Sequence, residues 1–185
     1  MAMLWRISNR IPSSCIGEVV DDNSWDRLAF QCGEEVSLAS VCPVTFAFGA
    51  KVARLSKLDD LPNSAYVPLV SSVLAEWLQK HCGGVVQLIP TILRANDGHL
   101  DDYKLLNITC RVSALDRSKS RFKYIPGTEQ ILSFTHVSYL QHCVDDLLLA
   151  RSTDYLPHLL VAEALVDSMK RDGFSVDAFC PASPP

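Results

Sequence analysis

The sequence predicts an α+β protein with a mixed, mainly antiparallel sheet, two pseudo-equivalent helix–glycine–strand units and a β-rich N-terminal region. Three observations predict it. A helical hydrophobic pattern followed by glycine and a short apolar run occurs twice, 91 residues apart. Short β-branched runs bounded by turn residues fill much of the rest. The composition, 48% hydrophobic and 21% charged over 185 residues, is that of a globular chain able to bury one core. A single domain over 1–185 is expected, with a β-rich region at 1–65, a core at 66–181 and a frayed tail at 182–185.

The N-terminal elements come first. Leu28 to Cys32 reads as a short strand ending at Gly33, and Val41 to Phe48 as another around Pro43. Turn signals such as Asp21-Asp22-Asn23-Ser24 lie between them, and Leu61-Pro62-Asn63-Ser64 closes the region. The stretch Glu18 to Glu35 carries six acids against Arg27 alone.

In the first copy, Leu69, Val73, Leu74, Trp77 and Leu78 share one helical face. Ser71 or Ser72 caps its start, Gly83-Gly84 supplies a left-handed stop, and Val85 to Ile89 is a short buried strand ending at Pro90. In the second copy, Leu160, Ala164, Leu165, Ser168 and Met169 form the face. Gly173 is the stop, and Phe174 to Phe179 the strand before Pro181. Five of 22 aligned positions are identical: Leu69/Leu160, Val70/Val161, Leu74/Leu165, Val85/Val176 and Pro90/Pro181. Between the copies, Tyr103 to Val112 reads as a central strand, Pro126-Gly127 as a turn, and Ile131 to Leu140 as a strand containing His136.

Seven cysteines at irregular spacing make no disulfide framework, and the first residues lack an apolar leader core. Reduced, packed thiols in a cytoplasmic protein are expected. No apolar run reaches the roughly 18 residues of a membrane span. No metal-ligand spacing, phosphate loop or nucleophile elbow occurs, so no catalytic, cofactor-binding or metal residues are expected, and no cofactor. A net charge of −4 disfavours nucleic acid and suits a basic partner.

Two alternatives come from local clusters. His136, His142, Cys143, Asp145 and Asp146 carry the groups of a small cysteine/histidine-dependent hydrolase, though closeness in sequence does not bring side chains together. Arg117, Lys119, Arg121 and Lys123 alternate, which on a strand puts four cations on one face. That is a phosphate- or nucleic-acid-binding stripe, or the charged face of an edge strand. Trp77 is assigned to the core; Trp5 and Trp25 are packing residues or partner anchors.

An ordered series of motifs carries a resemblance. It runs from Val70-Ser71 and Leu88-Ile89-Pro90 through Tyr103-x-Leu105-Leu106-Asn107 and Ala114-Leu115-Asp116 with Ser118 or Ser120. It ends with Leu160-Val161 and Gly173 to Phe179. Over Tyr66 to Pro181 the chain resembles the bacterial immunity-protein family eleven, linked to polymorphic toxin systems. Ala162 stands where a serine is usual, and Cys180 precedes the closing proline. The resemblance implies an α+β protein that binds and neutralises a cognate toxin, with a scaffold role for the recurring residues. Many nuclease toxins are basic because they approach phosphates. The expected contact surface is an acidic rim of Asp21, Asp22, Glu34, Glu35, Asp59 and Asp60, with Trp25. A homodimer is left open.

Overall fold

The computed structural model describes residues 1–6, 11–20, 27–37 and 42–183, with Arg27 and Leu28 described by backbone alone. Thirteen strands and four helices follow in order among them: β1 Ala2–Trp5, β2 Glu18–Val19, α1 Arg27–Cys32, β3 Val44–Ala47, α2 Val52–Leu55, β4 Leu69–Ser71, α3 Ser72–Cys82, β5 Val86–Ala95, β6 Gly98–Leu100, β7 Tyr103–Ile108, β8 Arg111–Val112, β9 Arg121–Tyr124, β10 Ile131–His136, β11 Leu149–Ser152, β12 Leu159–Ala162, α4 Glu163–Arg171 and β13 Phe179–Pro181. A single turn of 3-10 helix at Ser13–Cys15 precedes β2. The fold is α+β, and its pairings are mainly antiparallel. Among the described strand pairs, β3 with β5 and β8 with β11 run parallel.

There are two main sheets. One has the order β2-β3-β5-β7-β4 with β6 beside β5, the other β13-β1-β12-β11-β8. β9 and β10 form a separate hairpin. The predicted strand from Tyr103 to Val112 is therefore split: β7 belongs to the first sheet and β8 to the second.

The repeated phrase is a split strand–helix–strand unit in each sheet. β4 and β5 both run antiparallel to β7, which lies between them. β12 and β13 both run antiparallel to β1, which lies between them. The register is also shared. Leu69 and Ile89 face Leu105, as Leu160 and Cys180 face Leu4. Pro90 faces Lys104, and Pro181 faces Met3. Strand alternation then gives each copy two sides. Val70 and Val161 enter one common core with Leu74, Leu78, Leu165 and Met169 from the two helices. Leu69 and Leu160 point the other way, into separate cores beneath the first and second sheets.

Several expectations are corrected. Leu69 and Leu160 belong to strands, and Val73 is 69% exposed, so the buried stripe of α3 is Leu74, Ala75, Leu78 and Cys82. Ser71 is the cap, its hydroxyl accepting from the Leu74 N–H at 3.3 Å, whereas Ala162 at the equivalent position makes no side-chain cap. Gly83 is right-handed (φ −55°), so α3 turns into β5 without a left-handed stop. β5 continues past Pro90 to Ala95. Pro90 is the last residue paired with β7, and β3 takes over at Thr91, so the residue that cannot donate sits at the hand-over.

Gly173 does stop α4 in the left-handed region (φ +92°), with Gly173 N–H on the Lys170 carbonyl and Phe174 N–H on Met169. Only Phe179–Pro181 of the following segment is strand. Leu28 to Cys32 is helix, not strand. Gly33 (φ +65°) and Glu34 close it with the same pair of bonds, to Phe30 and Ala29. The expected frayed tail is docked as far as Ser183. Ala182 is buried and donates to the Ala2 carbonyl, and Ser183 bonds Ser138 and Tyr139. All seven cysteines are free thiols. No helix among the described residues is long and apolar enough to cross a membrane.

Candidate functional site

The two loops that lead into β4 and β12 face each other. Each carries a Tyr-x-Pro sequence, Tyr66-Val67-Pro68 and Tyr155-Leu156-Pro157. With the end of β1 they enclose a cavity of about 340 Å³. Trp5 and Arg6 come from β1 and its exit, residues 60–63 and 66–68 from one loop, and Tyr155 with residues 157–159 from the other.

The first loop is shaped by Asn63, which is buried. Its amide donates to the Val67 carbonyl at 2.7 Å and its oxygen accepts from the Ala65 N–H at 3.1 Å. This clamp bends the chain so that Tyr66 has φ +56°, a left-handed backbone that a bulky residue rarely adopts. Tyr66 is nevertheless 58% exposed at the cavity mouth. The strain is not repaid by burial of its ring. The second loop is held from β11, where Arg151 is fully buried and its Nη1 donates to the Leu156 carbonyl at 2.8 Å. Its Nε and Nη2 have no hydrogen-bond partner among the described residues, and burial pulls the guanidinium down to about 10.

Asp60 and His158 are among the side chains that line the cavity. Asp60 Oδ2 accepts the Trp5 indole N–H at 2.8 Å. Asp60 keeps some residual exposure, yet its carboxyl is packed deeply enough that burial pushes it up to about 6. The Trp5 hydrogen bond acts against that rise, and neighbouring Asp59 adds to it. His158 is stacked on Phe134 with ring centres 5.5 Å apart, and its Nδ1 lies 3.0 Å from the Tyr139 hydroxyl. Burial pulls its imidazole down to about 4, with Arg6 acting in the same direction. Near neutral pH the histidine is uncharged.

Of the expected acidic rim, Glu34, Glu35, Asp59 and Asp60 lie within the described residues. Glu34 and Glu35 are exposed on the loop after α1. Asp59 and Asp60 are only partly exposed. Asp59 Oδ2 accepts the Ser175 N–H at 3.0 Å, and Asp60 holds Trp5. Both acids fasten the loop before β4 to elements of the second unit. Asp21, Asp22 and Trp25 lie outside the described residues. Of the other tryptophans, Trp5 is core and Trp77 is half-buried.

The residues of the two alternatives are also placed. His142 Nδ1 and Asp145 Oδ2 are 2.5 Å apart, with both side chains exposed. Cys143 is half-buried, and burial raises its thiol above the usual range, which disfavours the thiolate a nucleophile needs. His136 ends β10 on an exposed position, and Asp146 is exposed. None of these residues lines the cavity. The cationic stripe is broken, because Arg117 and Lys119 lie on a turn and only Arg121 and Lys123 on β9. Arg117 faces Asp154 at 3.4 Å, and Lys119 faces Asp116 at 3.5 Å. No cluster of three or more His, Cys, Asp or Glu side chains suited to a metal occurs among the described residues.

No protein-family model matches the chain, and no curated protein does. The cavity residues Tyr66, Tyr155 and His158 carry no motif of their own. The signal that could have found them is the Tyr-x-Pro sequence just before each copy of the repeated phrase.

Proposed function

We propose that the chain is a cytoplasmic immunity-type protein that binds a cognate toxin, of basic character, and neutralises it by stoichiometric protein–protein inhibition. The observation that carries this reading is Tyr66. A large aromatic side chain is held exposed, on a strained backbone, at the mouth of a mainly apolar cavity. Such a pairing of an exposed ring with a preformed receptacle suits a binding hot spot. The motif series supports the toxin as the partner, and the net charge supports its basic character. The exposed Glu34 and Glu35 fit a role in steering its approach.

The test is to look for a toxin-like protein encoded beside this gene and to measure binding to it. Wild-type protein is expected to protect cells from it on co-expression. Tyr66→Ala is expected to weaken the purified complex by about 30-fold, the equivalent of ~2 kcal/mol for a hot-spot residue. Failure of the wild type to protect would overturn the reading.

A further inference from the structure

Asp60 is the acidic side chain set into the cavity wall. One oxygen accepts from Trp5, and Asp60, which keeps partial exposure, lines the cavity with its carboxyl. A carboxylate oxygen open to a mainly apolar cavity suits a charged hydrogen-bond donor. The rings of Trp5, Tyr66 and Tyr155 line the same space, and aromatic faces attract cations. A neutral apolar ligand would offer the carboxylate no donor, and an anion would be repelled by Asp60 and by Asp59 beside it.

The other charged and titratable groups near Asp60 do not supply such a donor. Arg6 lines the cavity, but its side chain is exposed, and its charge acts on His158 rather than on Asp60. His158 is uncharged near neutral pH. Tyr103, packed near Asp59, Asp60 and Asp102, has its hydroxyl 2.6 Å from both the Leu55 and Leu58 carbonyls and is engaged there. The volume, about 340 Å³, lies at the small end of ligand cavities and admits one long side chain.

We infer that this cavity receives a protonated amine or guanidinium on a slim apolar stem, a lysine or arginine side chain projecting from the partner protein. The cation pairs with the carboxylate of Asp60, and the stem lies against Pro62, Val67 and the tyrosine rings. The occupant rests on the partner-binding reading above, but the chemistry of the cavity does not. Because the carboxylate is the binding form, uptake of a cation draws a proton off Asp60. Affinity therefore rises as pH increases from about 5 to about 7.

The test uses three probes of similar shape on the full chain: n-butylguanidinium, n-butylurea and pentanoate, followed by the Trp5 indole resonance. n-Butylguanidinium is expected to saturate in the millimolar range, as suits so small a ligand. n-Butylurea and pentanoate are expected to bind at least tenfold more weakly. Asp60→Asn is expected to lose at least tenfold for the guanidinium and to remove its pH dependence. Tyr66→Ala, which leaves the Asp60–Trp5 hydrogen bond in place, is expected to lose several-fold. Equal binding of the urea, preference for pentanoate, an unaffected Asp60→Asn, or no guanidinium binding at all overturns the inference. If the toxin binds wild type and Asp60→Asn equally, the inference falls and the partner reading stands. If the guanidinium binds as described and the toxin does not bind, the partner reading falls and the cavity chemistry stands.

Discussion

Trp77 and Asp172, 95 residues apart in the chain, fasten the two repeated units together: the indole N–H donates to Asp172 Oδ2 at 2.7 Å. The same ring meets Phe174 edge-on, with centres 5.7 Å apart, and stacks on His81. The unit in the first sheet is thus latched to the helix end of the unit in the second.

Trp77→Phe keeps a ring and removes the donor. A loss of about 0.5–1 kcal/mol is expected, toward the low end for an exposed hydrogen bond. Asp172→Ala should cost a similar amount, and the double variant less than the two together. Urea unfolding of the four proteins measures this coupling. Full additivity would show that the latch contributes nothing.

Asp60 and His158 work in opposite directions with pH. Folding raises Asp60 to about 6, so its contribution to stability is full below about pH 4 and is lost as pH rises through 6. Folding lowers His158 to about 4, so its contribution is full above about pH 6.5 and is lost as pH falls toward 4. Between pH 4 and 6 the two largely cancel in the wild type. Asp60→Asn should expose the histidine, with stability falling as pH drops from 6.5 to 4. His158→Gln should expose the aspartate, with stability falling as pH rises from 4 to 6. Each span is on the order of 3 kcal/mol at most, less whatever solvent at the open mouth screens. Denaturant midpoints across this range supply the check.

Gly33 and Gly173 both end helices in the left-handed region, but only one is crowded. A Cβ at Gly173 meets nothing within 4 Å, so Gly173→Ala carries the backbone cost alone, roughly 1–2 kcal/mol. A Cβ at Gly33 would lie 2.4 Å from the Ile108 carbonyl oxygen. Gly33→Ala should therefore cost clearly more, roughly 3 kcal/mol or above. Thermal unfolding of the pair decides it, and equal losses would contradict the packing around Gly33.

Ala162 begins α4 where Ser71 begins α3. Ala162→Ser should supply the cap that the second unit lacks, by accepting from the Leu165 N–H. A gain of about 0.5–1 kcal/mol is expected. No gain in the unfolding midpoint would show that the buried position, among Leu4 and Leu160, does not admit the hydroxyl.

The repeat is where most of the fold was legible. Leu74 and Leu165, then Leu78 and Met169, recur at helical spacing because both helices bury the same stripe in one shared core. Pro90 and Pro181 recur because each faces the equivalent residue of the strand between its flanking pair. The N-terminal strand reading failed at Leu28 to Cys32 because a run that short has no period long enough to separate helix from strand. There Gly33 was the better signal, since a left-handed residue closes a helix. The cationic stripe failed for a related reason. Its alternation is real in sequence, but Arg117 and Lys119 sit on a turn held by Asp116 and Asp154.

The amino-acid order alone determined the α+β class, the duplicated unit and the helix stop at Gly173, because all three depend on contacts between residues close in the chain or on backbone sterics. Only the tertiary structure decided what Asp60 is. In sequence it is one acid of a polar pair. In the folded protein it is a carboxyl set in a cavity wall, because Trp5, 55 residues earlier, and the loop around His158, nearly 100 residues later, are brought against it by sheet pairing. Burial and charge partnership are properties of that long-range packing, and no local pattern encodes them.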